Sequence, residues 1–386
     1  MSFTEAYGVF SVDGSSPRIG FASGEAVHDL RALADAGALD HGGLAEVCRA
    51  DDLLPLLAAG PEVWSGLRSR LADVVGSVET IALDGVTMHL PFPVRDFVDF
   101  YSSIEHATNL GRILRPDGEP LLANWRHLPV GYHGRSSTVV VSGTPVRRPA
   151  GQSRPDPAGP PVFGSSQMLD FELEVGFVTG GPDNRMGEPL DVSSAEDSIF
   201  GLVLVNDWSA RDIQAWEYQP LGPFLGKSFA TSISPWVVPL AALSSFRVPG
   251  PVQSPPPLPH LQASEPRGLD LSLEVWLRTP SMSSPVRISS TSFAGVYWSM
   301  AQQLAHLTSN GAVVGAGDLC ASGTVSGAGP GSEGSLMELT WRGSRPLVLP
   351  NGETRGFLED GDEVTMTGWC GDVGFGSVVG RVVGLS

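Results

Sequence analysis

The sequence predicts a mainly β protein of the α+β class, with a small N-terminal unit over residues 1–90 and a larger strand-rich unit over residues 91–386. Three observations carry the prediction. At 386 residues the chain exceeds what one average core organises. Beyond residue 90, short apolar runs punctuated by turn residues dominate, as strands require. Helical spacing, with apolar residues at i, i+3 and i+4, is instead concentrated between residues 30 and 75.

In chain order, Tyr7-Gly-Val-Phe-Ser-Val12 and Arg18-Ile-Gly-Phe-Ala22 read as small hairpins. Leu30–Cys48 and Asp52–Val75 read as helices. After Met88-His-Leu-Pro-Phe-Pro93 the spacing predicts strands at Ser137–Ser142, Leu169–Val178, Ile199–Val205, Ser234–Pro239, Leu269–Leu277, Leu336–Trp341 and Glu363–Thr367. Helices interrupt them at Ser102–Leu114, Ser209–Tyr218 and Phe293–Ser309. Pro249–Pro266, dense in proline and serine without period, reads as a surface loop that leaves the core.

Composition excludes several classes of function. A formal net charge of −18 repels a phosphate backbone, so no nucleic-acid partner is expected. No run of apolar residues is long enough for a membrane span. The start, Met1-Ser-Phe-Thr-Glu5, has neither a basic region nor an apolar stretch, so a cytoplasmic protein is expected. Cys48, Cys320 and Cys370 are odd in number and far apart, which predicts buried free thiols. Lys227 is the only lysine, and it lies in the apolar stretch Gly222–Phe229. Drift of the other cations toward arginine explains most of the pattern, yet such a site also suits a compact, rotatable ammonium.

Three constellations point to chemistry. In Phe171-Glu-Leu-Glu-Val-Gly-Phe177 a period of two puts the apolar residues on one face and Glu172 with Glu174 on the other, about 7 Å apart. The alternatives are a solvated strand face and, with Asp99 and Asp207, an oxygen-only site for Ca²⁺ or Mg²⁺. In Ser102-Ser-Ile-Glu-His106, Ser102 and Glu105 have the form of a capping box. His106 then lies in the first turn, where the helix dipole favours the neutral ring that can act as a base; a polar surface residue is the other reading. In Asn206–Pro220, Arg211, Gln214 and Tyr218 share one stripe able to donate hydrogen bonds to an oxyanion or carboxylate, or simply to water.

Three motif matches do not hold. Gly222–Ser228 is one residue short of a phosphate loop. Gly329-Pro-Gly-Ser-Glu-Gly334 carries Glu333 where a pyrophosphate would lie, with a strand expected after it. Gly226-Lys-Ser-Phe-Ala230 ends in alanine rather than the glycine of a nucleophile elbow.

The segments Asp99–Asn109, Leu128–Ser136, Asn206–Gln214 and Pro220–Phe229, with Ala321–Thr324, Tyr7–Phe10 and Pro17–Gly20, together resemble the fumarylacetoacetate hydrolase family along nearly the whole chain. The resemblance implies an N-terminal SH3-like barrel, a β-roll catalytic domain and a homodimer. It implies hydrolysis of a β-diketo acid, fumarylacetoacetate, to fumarate and acetoacetate in tyrosine breakdown. It further implies that Asp99, Glu172, Glu174 and Asp207 hold a divalent metal, Ca²⁺ in the family, and that His106 is a general base paired with Glu338. Arg211, Gln214 and Lys227 would surround the oxyanion. Arg115, Tyr132, Tyr218 and Thr324 would hold substrate, and Lys227 with Thr231 would form a secondary cation site. Ile104-Glu105 and Ala230 depart from the pattern, the latter where glycine is expected.

Such chemistry needs these groups. Hydrolytic cleavage of a carbon–carbon bond expels a carbanion, tolerable near neutral pH only as a stabilised enolate. Each oxyanion donor is worth about 3 kcal/mol. Related oxo-acid enzymes of the same superfamily, or a non-catalytic protein with structural acids, are the competing readings. The N-terminal unit disfavours the first, and the joint presence of His106, Glu338 and Lys227 disfavours the second.

Overall fold

The computed structural model describes residues 3–40, 42–77 and 79–385. Met1 and Ser2 of the N-terminal segment, and residue 41 within the expected first helix, lie outside the described residues. Strands β1 (Phe3–Ser11), β2 (Arg18–Gly24) and β3 (Ala26–Asp29) form the expected hairpins. The first helical stretch divides into α1 (Leu30–Asp35) and α2 (Leu44–Cys48), and the second into α3 (Leu54–Ala59) and α4 (Pro61–Val74). The second break falls at Gly60, whose φ of 84° is left-handed, followed by Pro61 at the first helical position. Two short strands, β4 (Ile81–Ala82) and β5 (Thr87–His89), close the N-terminal unit.

The larger unit contributes β6 (Phe97–Phe100), α5 (Ile104–Leu114), β7 (Gly131–His133), β8 (Val139–Val141), β9 (Leu173–Thr179) and β10 (Ile199–Asp207). Then come α6 (Arg211–Glu217), β11 (Thr231–Ile233), β12 (Trp236–Pro239), β13 (Ser272–Arg278), β14 (Val286–Ser292) and α7 (Met300–Thr308). The chain finishes with β15 (Leu319–Ala321), α8 (Leu336–Leu339), β16 (Glu363–Cys370) and β17 (Val373–Val383). The fold is therefore a strand-rich α+β fold.

One large sheet runs through both units in the order β4-β3-β2-β1-β12-β10-β9-β15-β6-β7, joined where Tyr7 of β1 pairs with Val237 of β12. Among the described residues this path stays open, so the strands of residues 1–90 form no closed barrel. Neighbours in β10 face opposite ways. Leu202 and Leu204 join a core with Leu273, Val275 and Met366 of a second sheet, in which β14, β13, β16 and β17 pair in that order. Val203 and Val205 join a core with Leu33, Leu57, Leu67 and Leu71 of the N-terminal helices. Layers on both faces explain why β9 and β10 are buried at every residue, whereas β13 and β16 alternate.

Four expectations change. Leu336–Leu339 is a helical turn, not a strand, because Ser335 caps it through the Glu338 amide. It follows Gly329–Gly334, so the strand argument against a phosphate loop there fails, while Glu333 still argues against one. Helix α5 is capped by Ser103, whose hydroxyl accepts from the His106 amide, rather than by Ser102, which accepts from Gln303 at 2.7 Å. Only Met300–Thr308 of the expected Phe293–Ser309 helix is α-helical, after a 3-10 turn at Phe293–Gly295. The Pro249–Pro266 segment docks instead of departing: Leu261 is buried, its carbonyl accepts from Gln302 at 2.7 Å, and Gln253 donates to the Tyr297 carbonyl.

Candidate metal centre and its neighbours

Strand pairing brings the four acids together. Asp99 in β6 lies opposite Ala321 of β15 and Tyr132 of β7. Glu174 in β9 lies opposite Val205, two residues before Asp207 ends β10. Glu172 bridges to Ser335, and its amide donates to Asn206. Each acid offers one carboxylate oxygen, and all four oxygens lie within 4.8 Å of one another. All four are buried, so the solvated-face reading of Glu172 and Glu174 is excluded.

The electrostatics of the cluster are lopsided. Lys227 donates to Glu172 and, at 2.7 Å, to Asp207, and Thr231 donates to the other Asp207 oxygen at 2.8 Å. Tyr132 also donates to Asp207, at 3.0 Å. Burial opposes charge on Glu172, but Arg211, 2.9 Å away, and Lys227 together outweigh it and hold its carboxyl below the ordinary range. Glu174 has no such relief. Both its oxygens and one of Asp99 are buried without a hydrogen-bond partner. Burial, compounded by the neighbouring acids, pushes both carboxyls well above the usual range. Unpartnered oxygens converging on one point fit a hard divalent cation, which prefers oxygen donors. The described residues could thus hold such an ion; no sulfur or imidazole is needed.

Beside the cluster, His106 in the first turn of α5 sets Nδ1 2.7 Å from Glu338 Oε2. Glu338 also accepts from Asn109, Ser326 and Ser335 at 3.0, 3.0 and 2.8 Å. Burial opposes its charge, yet His106 and these donors hold its carboxyl below the ordinary range. With Glu338 an acceptor on every side, Nδ1 is assigned the proton, leaving the Nε2 lone pair 3.8 Å from Glu172 Oε1. The Tyr101 ring stands edge-on to the imidazole at 5.2 Å.

Other expected residues are placed less uniformly. Gln214 is half-buried and accepts from Arg211 at 3.3 Å. The loop carrying Lys227 packs so closely on α6 that a Cβ on Gly226 would meet the Gln214 amide nitrogen at 2.8 Å. Thr324 is buried with a partnerless hydroxyl, after Gly323, whose φ of 75° and approach to the Phe100 carbonyl exclude a side chain. Arg115 ends α5, donates to the Pro120 carbonyl at 2.9 Å and keeps a buried, partnerless Nε. Tyr218 is exposed, and its hydroxyl accepts from Gln219. Ala230 packs its methyl into the main core. Cys48, Cys320 and Cys370 are buried free thiols, as expected.

Four neighbours escaped the sequence reading: Tyr101, Asn109, Ser326 and Asp170. Tyr101 and Asn109 left a signal, since Tyr101 follows Asp99 by two residues and Asn109 follows His106 by one helical turn. Asp170 lies two residues before Glu172, but its partners Arg211, Leu336 and Met337 are distant in sequence, as is the Glu338 partner of Ser326.

Residues 6–91 match the family described as fumarylacetoacetase N-terminal, and residues 97–383 match fumarylacetoacetate (FAA) hydrolase C-terminal. The chain is 48% identical over 399 residues to the fumarylacetoacetase of Homo sapiens, covering 98% of this chain and 94% of the relative. It is 47% identical to that of Arabidopsis thaliana, at the same coverage. The solved fumarylacetoacetate hydrolase of Exiguobacterium antarcticum superimposes with a TM-score of 0.61 at 18% identity, covering 99% of this chain and 100% of that one, which speaks to the fold. The chain belongs to the fumarylacetoacetate hydrolase family.

Proposed function

We propose that the chain hydrolyses the carbon–carbon bond of 4-fumarylacetoacetate, giving fumarate and acetoacetate, the last step of tyrosine and phenylalanine breakdown. The observation that supports it best is the His106–Glu338 pair set against four buried acids, in a chain similar to fumarylacetoacetases over nearly its whole length. Asp99, Glu172, Glu174 and Asp207 would hold Ca²⁺ or Mg²⁺, which supplies Lewis-acid stabilisation of the enolate that leaves.

The chain's own residues do the rest. Glu338 orients the ring through Nδ1, so His106 Nε2 takes a proton from water as it adds to the ketone carbon of the fumaroyl group itself. Lys227, Arg211 and Gln214 stabilise the resulting oxyanion. The carbon–carbon bond then breaks, its electron pair passes to acetoacetate as enolate, and His106 returns the proton to that carbon. Arg115, Tyr132, Tyr218 and Thr324 hold the substrate, for which the orphaned Arg115 Nε and Thr324 hydroxyl are suitable donors. The family resemblance also supports a secondary cation site at Lys227 and Thr231, where only oxygen atoms could serve as ligands, since the Lys227 ammonium is a donor held by Asp207.

Family resemblance also supports residues 1–90 as an SH3-like domain, residues 91–386 as a β-roll catalytic domain, a homodimer and a cytoplasmic setting. The decisive experiment follows the diketone absorbance of fumarylacetoacetate. It is lost on adding enzyme and persists after thorough chelation; turnover that survives chelation removes the metal from the mechanism.

A further inference from the structure

Asp170 lies two residues before Glu172, is completely buried and has no part in the mechanism above. Its carboxylate is surrounded by donors. Oδ2 accepts from Arg211 Nε at 2.9 Å and from the Met337 amide at 3.0 Å, and lies 2.8 Å from Arg211 Nη2. Oδ1 accepts from the amides of Leu336 and Phe171 at 2.7 and 2.8 Å. The same Arg211 Nη2 lies 2.9 Å from Glu172 Oε1. Leu336 and Met337 open α8, whose third residue is Glu338.

One carboxylate thus joins the guanidinium that steers an acid of the metal cluster to the helical turn that carries the partner of His106. We propose that Asp170 is a positioning residue that fixes the acidic cluster and the His106–Glu338 pair relative to each other. Only an acceptor-only group with several lone-pair directions satisfies a guanidinium and three amides together. An amide in its place would turn an NH₂ toward those donors. A turn as short as α8 has little stability of its own, so its first amides need a fixed external acceptor. The short aspartate stem, rooted beside Glu172, leaves that acceptor little freedom to move.

The inference rests on the reading of His106–Glu338 as the base, and the test separates the two. D170N, E338Q and the double variant are compared by kcat and KM on fumarylacetoacetate, Ca²⁺ affinity by calorimetry, and circular dichroism. Folded D170N is expected to lose about 10- to 100-fold in kcat with KM little changed, and to bind Ca²⁺ more weakly. The double variant is expected to turn over no more slowly than E338Q, because both changes disable one unit. Losses that multiply in the double variant, or a D170N that loses only thermal stability, overturn the proposal and leave the base reading standing. A normal rate in E338Q alone removes the base reading and this proposal with it. Should D170N not fold, amide exchange in the unaltered protein decides: Ca²⁺ slows exchange at Leu336 and Met337 if the coupling exists, and unchanged exchange overturns it.

Discussion

Both carboxylate oxygens of Glu174 are buried without a partner, facing the charges of Asp99 and Asp207. A group so placed destabilises the metal-free fold and becomes favourable only beside a cation. Glu174→Gln is therefore expected to weaken Ca²⁺ binding by at least tenfold while leaving the metal-free Tm unchanged or higher, measured by calorimetry and thermal unfolding. A metal-free Tm that falls by several degrees would show that Glu174 has a structural partner. His106→Ala is expected to lower kcat by about 10² to 10⁴, with an unaltered circular dichroism spectrum, since it deletes the group that takes the proton. Residue identity in the sequence already suggested these roles. It did not suggest that Lys227 would be tied to Glu172 and Asp207, because that depends on where a loop remote from Glu172 docks.

Elements show where reading by pattern succeeds and where it slips. The alternation at Phe171–Phe177 and the proline after Ser209–Tyr218 were enough to place β9 and α6 within a few residues. Leu336–Trp341 reads as a strand and folds as a helical turn over Leu336–Leu339, because a short apolar run does not separate strand from helix. The signal was present, since Ser335 and Glu338 stand in capping-box spacing: the hydroxyl accepts from the Glu338 amide and donates to its carboxylate at 2.8 Å. Ser335→Ala is expected to cost about 1 kcal/mol of stability and to slow turnover as well, because the cap also holds the partner of His106. Chemical denaturation with parallel kinetics checks this. A stability loss without any rate change would uncouple the cap from the base.

At the scale of the whole molecule, the buried acids couple folding to pH and metal. Asp99 and Glu174 retain protons in the metal-free fold at pH values where unfolded carboxyls, near pH 4, have lost them. The folded state then binds more protons than the unfolded one, so this contribution to stability falls as pH rises through that window. Glu172 and Glu338, shifted downward, act in the opposite sense only below the ordinary carboxyl range. Metal-free protein is therefore expected to unfold at a lower temperature near pH 8 than near pH 5, and saturating Ca²⁺ to flatten or reverse that trend. Scanning calorimetry in chelator and in Ca²⁺ tests this; a metal-free Tm that climbs with pH contradicts it.

By itself the sequence determined the strand-rich composition, the paired carboxylates at period two, a histidine in the first turn of a helix and a single lysine in an apolar loop. These are local properties, set by side-chain alternation and helix capping within a few residues. Local pattern did not bring Asp99, Glu172, Glu174 and Asp207 to one point or Glu338 behind His106, which only the family resemblance implied; the tertiary structure supplied their geometry and alone decided that Asp170 stands between them. Those meetings depend on hydrogen-bonded pairing between strands far apart in the chain, β6 against β15 and β9 against β10, and no local pattern specifies which strands become neighbours.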